Sequence, residues 1–417
     1  CSIKSAKLPI GIAIQYRYEI RYDCSSAYWS HSTERPERIA AKKLLGFGFL
    51  AAILSGLSVL WDQEALLQSY LISYLYWIAI PIGSFALLML HHMVGGRWGF
   101  AARRLLEAAT RTFPFWLIAF VPIWLGMDTI YPWAHGDHEL VPAKEAYLNR
   151  GFFTGRTLFY FAVWIGFSFL LNRWSLQQDR GNTPGLLRKL QLLSGPGLLL
   201  FGLTTTFSAI DWVMTLEVEW YSTIYGALFI TGQGVSALTF AIIVLSLCRD
   251  HAPFNRLPLP GRFHDLGNLL LAFVMLWAYM SFSQYLIMWS GDLPEEIPWY
   301  LHRSAGGWQY VAIGIVIFHL FLPMALLLAR RNKRAPERLA RIAVLILVLR
   351  YVDLYWITAP AFSPDHLRVH VFDVLCFVAL GGLWSGLFLR QLRKHPLLPV
   401  GDERFEGELS MKGAEHV

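Results

Sequence analysis

The sequence predicts an all-α polytopic membrane protein with about ten transmembrane helices, and three observations carry that expectation. Ten apolar segments follow one another along 417 residues. Basic residues gather at every second junction between them. The composition, 55% hydrophobic, 15% aromatic and only 16% charged with a mean hydropathy of +0.42, is far from that of a soluble domain.

The segments fall at 44–61, 69–93, 113–132, 154–174, 192–216, 220–248, 266–290, 307–330, 337–360 and 369–390. Each is long enough as a helix to cross a hydrocarbon core of about 30 Å. Two four-residue basic groups lie at the second and fourth junctions: Arg97, Arg103, Arg104 and Arg111, then Arg173, Arg180, Arg188 and Lys189. The sixth carries Arg249, Arg256 and Arg262, and the eighth Arg330, Arg331, Lys333, Arg334, Arg338 and Arg341. Odd junctions hold only Lys144, Arg150, Arg303 and Arg368, a bias of seventeen to four. The positive-inside rule turns that bias into an orientation with both termini cytoplasmic. Acidic and aromatic residues mark the opposite face, including Asp62, Glu64, Glu217, Glu219, Asp292, Glu295 and Glu296. The expected organisation is a cytoplasmic arm over 1–43, one membrane domain over 44–393 and a cytoplasmic tail over 394–417. The net charge of +7 is explained by the inner loops, so it does not point to nucleic acid.

Cys1, Cys24, Cys248 and Cys376 form no C-x-x-C pair and do not group with histidine. No iron–sulfur cluster, c-type haem or structural zinc is therefore expected in this chain. A b-type haem needs histidines apposed at similar depth. His91 and His92 close the second segment while His319 lies near the middle of the eighth, a poor match.

Without a cofactor, chemistry has to come from polar groups inside the bilayer, where a charged side chain is expensive unless it has a partner or a task. On the fifth segment Thr204, Ser208, Asp211 and Thr215 are spaced four, three and four apart and share one helix face. Asp211 lies about 9 Å inward of Glu217 at 1.5 Å per residue. A hydroxyl ladder ending in a carboxylate suits proton relay. It suits equally hydroxyls bonded to their own i−4 carbonyls, with the acid capping a neighbour. On the seventh segment Ser281, Gln284 and Tyr285 offer hydrogen bonds to a quinone carbonyl, or serve as helix-packing glue. His319 on the eighth is a proton carrier or a core histidine. On the ninth, Arg350 is near mid-membrane with Asp353 one turn on, and its counterion is Asp353, Asp211 or Asp373. Arg350 either tunes a titrating carboxylate or holds helices together.

The ten-segment layout, HHMVGGRWGF closing the second segment, the DWVMTLEVEWYSTIYG hairpin between the fifth and sixth, and SQYLIMWSGDLPEEIPWYLHR after the seventh carry a resemblance. Over about residues 40–395 the chain resembles polysulfide-reductase-type (NrfD-like) membrane subunits, and most closely the second such subunit of bacterial alternative complex III, a quinol:cytochrome c oxidoreductase. The resemblance implies two four-helix bundles, segments two to five and six to nine, flanked by segments one and ten. It implies a bacterial cytoplasmic-membrane location. The implied partners are a sibling NrfD-like subunit that receives quinol, an iron–sulfur subunit, multihaem cytochrome c subunits, small membrane subunits and lipids. Haem c and iron–sulfur clusters would belong to those partners, with quinone or menaquinone as the complex's substrate. It also implies a proton-conducting role, for which Asp211, Thr204, Ser208, His319, Arg350, Asp353, Asp373 and Tyr285 are the candidates by burial. The alternatives are a quinone-binding subunit using Gln284, Tyr285 and Ser281, and a free-standing secondary transporter. A transporter would show helices broken at matching places, hinted at by SGPGLLL at 194–200 and FLPM at 321–324.

Overall fold

The computed structural model describes residues 36–58, 61–135, 142–180, 185–251, 253–399, 401, 402 and 404. Most of the expected N-terminal arm and the end of the C-terminal tail lie outside the described residues. Among the described residues all regular structure is helical, and ten helices are long and apolar enough to cross a membrane. They are α1 (Pro36–Ser58), α2 (Gln63–Val94), α3 (Arg97–Leu125), α4 (Arg150–Arg180) and α5 (Leu186–Trp212). The second half follows with α6 (Tyr225–Cys248), α7 (Leu259–Gly291), α8 (Trp308–Leu328), α9 (Pro336–Thr358) and α10 (Val371–Leu392).

Helices α2 to α5 pack as one group of four and α6 to α9 as another, with α2 against α6 as the seam between them. Both central helices are buried on almost every side, which is why they are apolar all round rather than striped. Their backbones nearly touch. A Cβ at Gly83 would sit 2.0 Å from the carbonyl oxygen of Gln233, so only glycine permits this approach. Outside the two groups, α1 lies along α10, and α10 lies on α2. There Gly48 meets Gly382 backbone to backbone, the small-residue packing by which helices associate in lipid without a hydrophobic driving force.

Two local features depart from plain helix. In α8 the stretch Val316–Phe321 widens into a π turn. Pro323, four residues past His319, has no N–H to give that carbonyl, and the wider turn absorbs the break. In α5, by contrast, the helix runs unbroken through Pro196, so the paired interruptions of a transporter are not formed at that point.

The third span differs from the sequence expectation. It begins at Arg97 rather than 113, so Arg103 and Arg104 lie inside a helix and are fully buried instead of lying in a loop. Five charges within fifteen residues, four of them basic, depress local hydropathy, and the compensating acids, Glu107 apart, lie far away in sequence.

Candidate functional site

At the acidic end of the molecule, Asp211 near the end of α5 is completely buried. Arg156 of α4 grips it with two bonds, Nε to Oδ2 at 2.8 Å and Nη2 to Oδ1 at 2.9 Å. The Tyr160 hydroxyl donates to Oδ2 at 2.7 Å. Arg156 itself lies under the Tyr147 ring at 3.7 Å and donates to the Tyr147 carbonyl. A bidentate guanidinium and a phenol satisfy this carboxylate. The other members of the α5 face behave as the plainer account expects: Thr204 bonds Leu200 O, Ser208 bonds Thr205 O and Thr215 bonds Asp211 O.

Near mid-membrane Arg350 pairs with Asp353 one turn on, and both are buried. Neither alternative counterion is involved. Asp211 belongs to Arg156, and Asp373 caps the start of α10, accepting from His370 N at 2.8 Å and Tyr355 Oη at 3.1 Å. The guanidinium lies against Gly232 of α6, where a Cβ would come within 2.1 Å of Nη2. His319 sits on the π turn with its ring edge-on to Trp277, centroids 4.5 Å apart. Neither of its ring nitrogens has a hydrogen-bond partner among the described residues.

The hairpin and the SQY…WYLHR stretch come together at the acidic end. Glu217 accepts from Arg303 Nη1 at 2.8 Å, Trp220 stacks on Trp299 at 4.9 Å, and Arg303 also donates to Ile357 O at 2.6 Å. Gln284 accepts from the Ser222 hydroxyl at 3.3 Å and reaches Tyr300 Oη at 3.5 Å. Tyr285 is 45% exposed and meets Tyr300 edge-on, and Ser281 is half-buried.

The largest polar constellation is one that sequence reasoning missed. Along the inner face of α4 stand Thr157, Tyr160, Trp164, Ser168, Asn172, Ser175 and Gln178, every step three or four residues and every one buried. Each bonds a polar group: Thr157 with Trp212 Nε1, Tyr160 with Asp211, Trp164 with Thr204 at 3.0 Å, Asn172 with Thr110 at 3.0 Å, Ser175 with Glu107 at 2.5 Å. The Ser168 hydroxyl bonds Ile165 O of its own helix and its backbone carbonyl accepts from Asn172, while Gln178 accepts from Arg103 at 2.9 Å. At 1.5 Å per residue this seam is about 32 Å long, the thickness of a hydrocarbon core. Its spacing was readable. Its partners on α3 and α5 were not.

The seam ends at the basic end in a buried charge cluster. Glu107 receives Arg103 at 3.0 Å, Arg104 at 2.5 Å and Arg111 at 3.2 Å. Arg104 also pairs with Asp179, and Arg103 with Asp402 at 2.7 Å. Asp402 comes from the tail, which folds back so that Arg404 clamps it and reaches His92 O. Burial pushes the Asp402 carboxyl up, but the Arg404 hydrogen bond and the Arg103 charge outweigh it and hold the group below the usual carboxylate range.

Fold and buried polar groups together define an all-α, multi-pass membrane protein whose intramembrane charges lie in bonded clusters at both ends and the centre. No family model matches the chain, and no curated protein does. Among the described residues no group of three histidine, cysteine, aspartate or glutamate side chains is placed to hold a metal ion.

Proposed function

We propose that this chain is an integral membrane subunit of a bacterial respiratory quinol:electron-acceptor oxidoreductase, without a redox centre of its own, that contributes a proton path along α4. Membership of such a complex rests on the sequence resemblance, with the sibling quinol-site subunit, iron–sulfur subunit and multihaem cytochromes as its partners. The observation that supports the proton role is the α4 seam. Polar side chains inside a bilayer are expensive and tend to mark proton relays or locked helix contacts. A row of them as long as the core is thick, in which Thr157, Tyr160, Ser168 and Ser175 supply hydroxyls, supports transfer from one face to the other. Asp211 and Glu107, each held by arginine, fix the helices at the two ends. The quinone-binding reading has less support, because the Gln284 amide is already engaged by Ser222 and Tyr300.

The test uses the purified assembly in lipid vesicles with an internal pH dye. Ser168→Ala combined with Asn172→Leu should leave the haem-containing complex intact by gel filtration and lower quinol-driven proton uptake by about tenfold, a barrier increase near 1.4 kcal/mol. Unchanged proton-to-electron ratio in that variant would reduce the seam to helix packing. Isolation of the wild-type chain without haem-bearing partners in mild detergent would point to the transporter instead.

A further inference from the structure

Where the two helix groups meet, α2, α5, α6 and α9 enclose a cavity of about 10 Å³. Its polar lining is Ser208, Gln233 and Arg350, and its apolar walls include Ile78, Ala79 and Trp212. Gln233 is only 6% exposed, yet its Oε1 has no hydrogen-bond partner among the described residues, and Nε of Arg350, a residue 1% exposed, has none either. Ser208 Oγ spends its proton on Thr205 O and keeps lone pairs to accept with. A buried acceptor or donor left unmet loses its bond to water and gains nothing in return, so such atoms in a native core are normally bridged.

We propose that this cavity is the binding site of one resident water molecule that ties the two helix groups together. The volume is that of a single water, and anything larger is excluded. The guest is neutral because Asp353 already balances Arg350. One water satisfies all the atoms at once: it accepts from Arg350 Nε and donates to Gln233 Oε1 and to Ser208 Oγ, three bonds in all, the usual complement of a buried water. It thereby joins Arg350 of α9 to Ser208 of α5, one turn from Thr204, which receives the indole of Trp164, and so brings the central ion pair up to the helix that borders the α4 seam. That last role rests on the proton-path reading; the site itself does not.

The intact complex, imaged at a resolution that shows ordered water, decides the site. The expected result is one density peak within about 2.7–3.2 Å of Gln233 Oε1, Arg350 Nε and Ser208 Oγ. No peak there, or one large enough for an ion or lipid group, overturns the proposal. Gln233→Met, which removes the acceptor at similar length, and Ala79→Val, which fills the cavity without touching a polar group, should each abolish the peak. Persistence of the peak in both variants also overturns it. In vesicles both variants should lower proton uptake by about tenfold, and unchanged uptake with the peak gone would refute the link to the seam. Absence of proton uptake in the wild-type complex would defeat the proton-path reading while leaving the density test of the site intact.

Discussion

Asp211 and Arg156 show how a buried charge becomes affordable in lipid: two guanidinium bonds, a phenol and an aromatic ring above the cation. Arg156→Leu leaves that carboxylate buried and unpaired, and should destabilise the protein by about 3–5 kcal/mol in detergent unfolding. The double variant Arg156→Leu with Asp211→Leu should recover most of that loss, since replacing both members of a buried pair is often near neutral. Loss in the double variant equal to that in the single one would show that the pair does more than cancel charge. The tail offers a second residue-scale test. Burial, with Arg111 and Arg104 beside it, pushes His395 down to about 4 from the ordinary imidazole value of 6.5. The released tail therefore binds a proton between those two values while the docked tail does not, so docking strengthens as pH rises through that window and weakens as pH falls. Asp402, held below the carboxylate range, contributes stability that is lost at still lower pH. The protection factor of residues 397–402, hydrogen exchange corrected for its intrinsic pH dependence, should fall from about pH 6.5 downward, and His395→Gln should remove the upper part of that response.

Among the elements, α4 does the most varied work: one face to its surroundings, the other a polar row bonded to α3 and α5. Its spacing by threes and fours is visible in the sequence, but the partner of Arg156 is 55 residues away, so only the packed structure reveals the pair. The pair Arg350 and Asp353 was legible because it is local, one turn apart. The start of α3 was illegible for the opposite reason: Arg103 finds Asp402 across 299 residues, a neutralisation that no hydropathy window contains. Deleting the chain from Pro399 onward should therefore loosen the α3–α4 end, seen as faster hydrogen exchange at residues 172–180 with α6 and α9 unaffected. Equal protection with and without the tail would show that Glu107 alone balances Arg103.

At the scale of the whole molecule, the number of spans and their order followed from apolar length, while the way they group followed from contacts that only glycine allows, at Gly83 and Gly48. The proposed orientation, with the Arg330–Arg341 region on the cytoplasmic side, is open to direct measurement. In intact cells an impermeant thiol reagent should label a cysteine engineered between 292 and 296 and miss one at 332; the reverse pattern would invert the protein in the membrane and with it the direction of any proton path.

The partnership of α1 with α10 has a consequence for how the chain is made. Of the ten described spans, α1 comes earliest, yet its chief neighbour is α10, more than 300 residues later in the sequence. At a synthesis rate of about 5–20 residues per second, that is a wait of roughly 15–60 s. During that interval α1 stands in lipid without its chief neighbour, while α2 meets α3, α5 and α6 as each emerges. Any interruption of translation before α10 thus releases a product whose first helix has nothing to hold. The α1–α10 contact therefore distinguishes a product in which synthesis has reached α10 from one in which it has not.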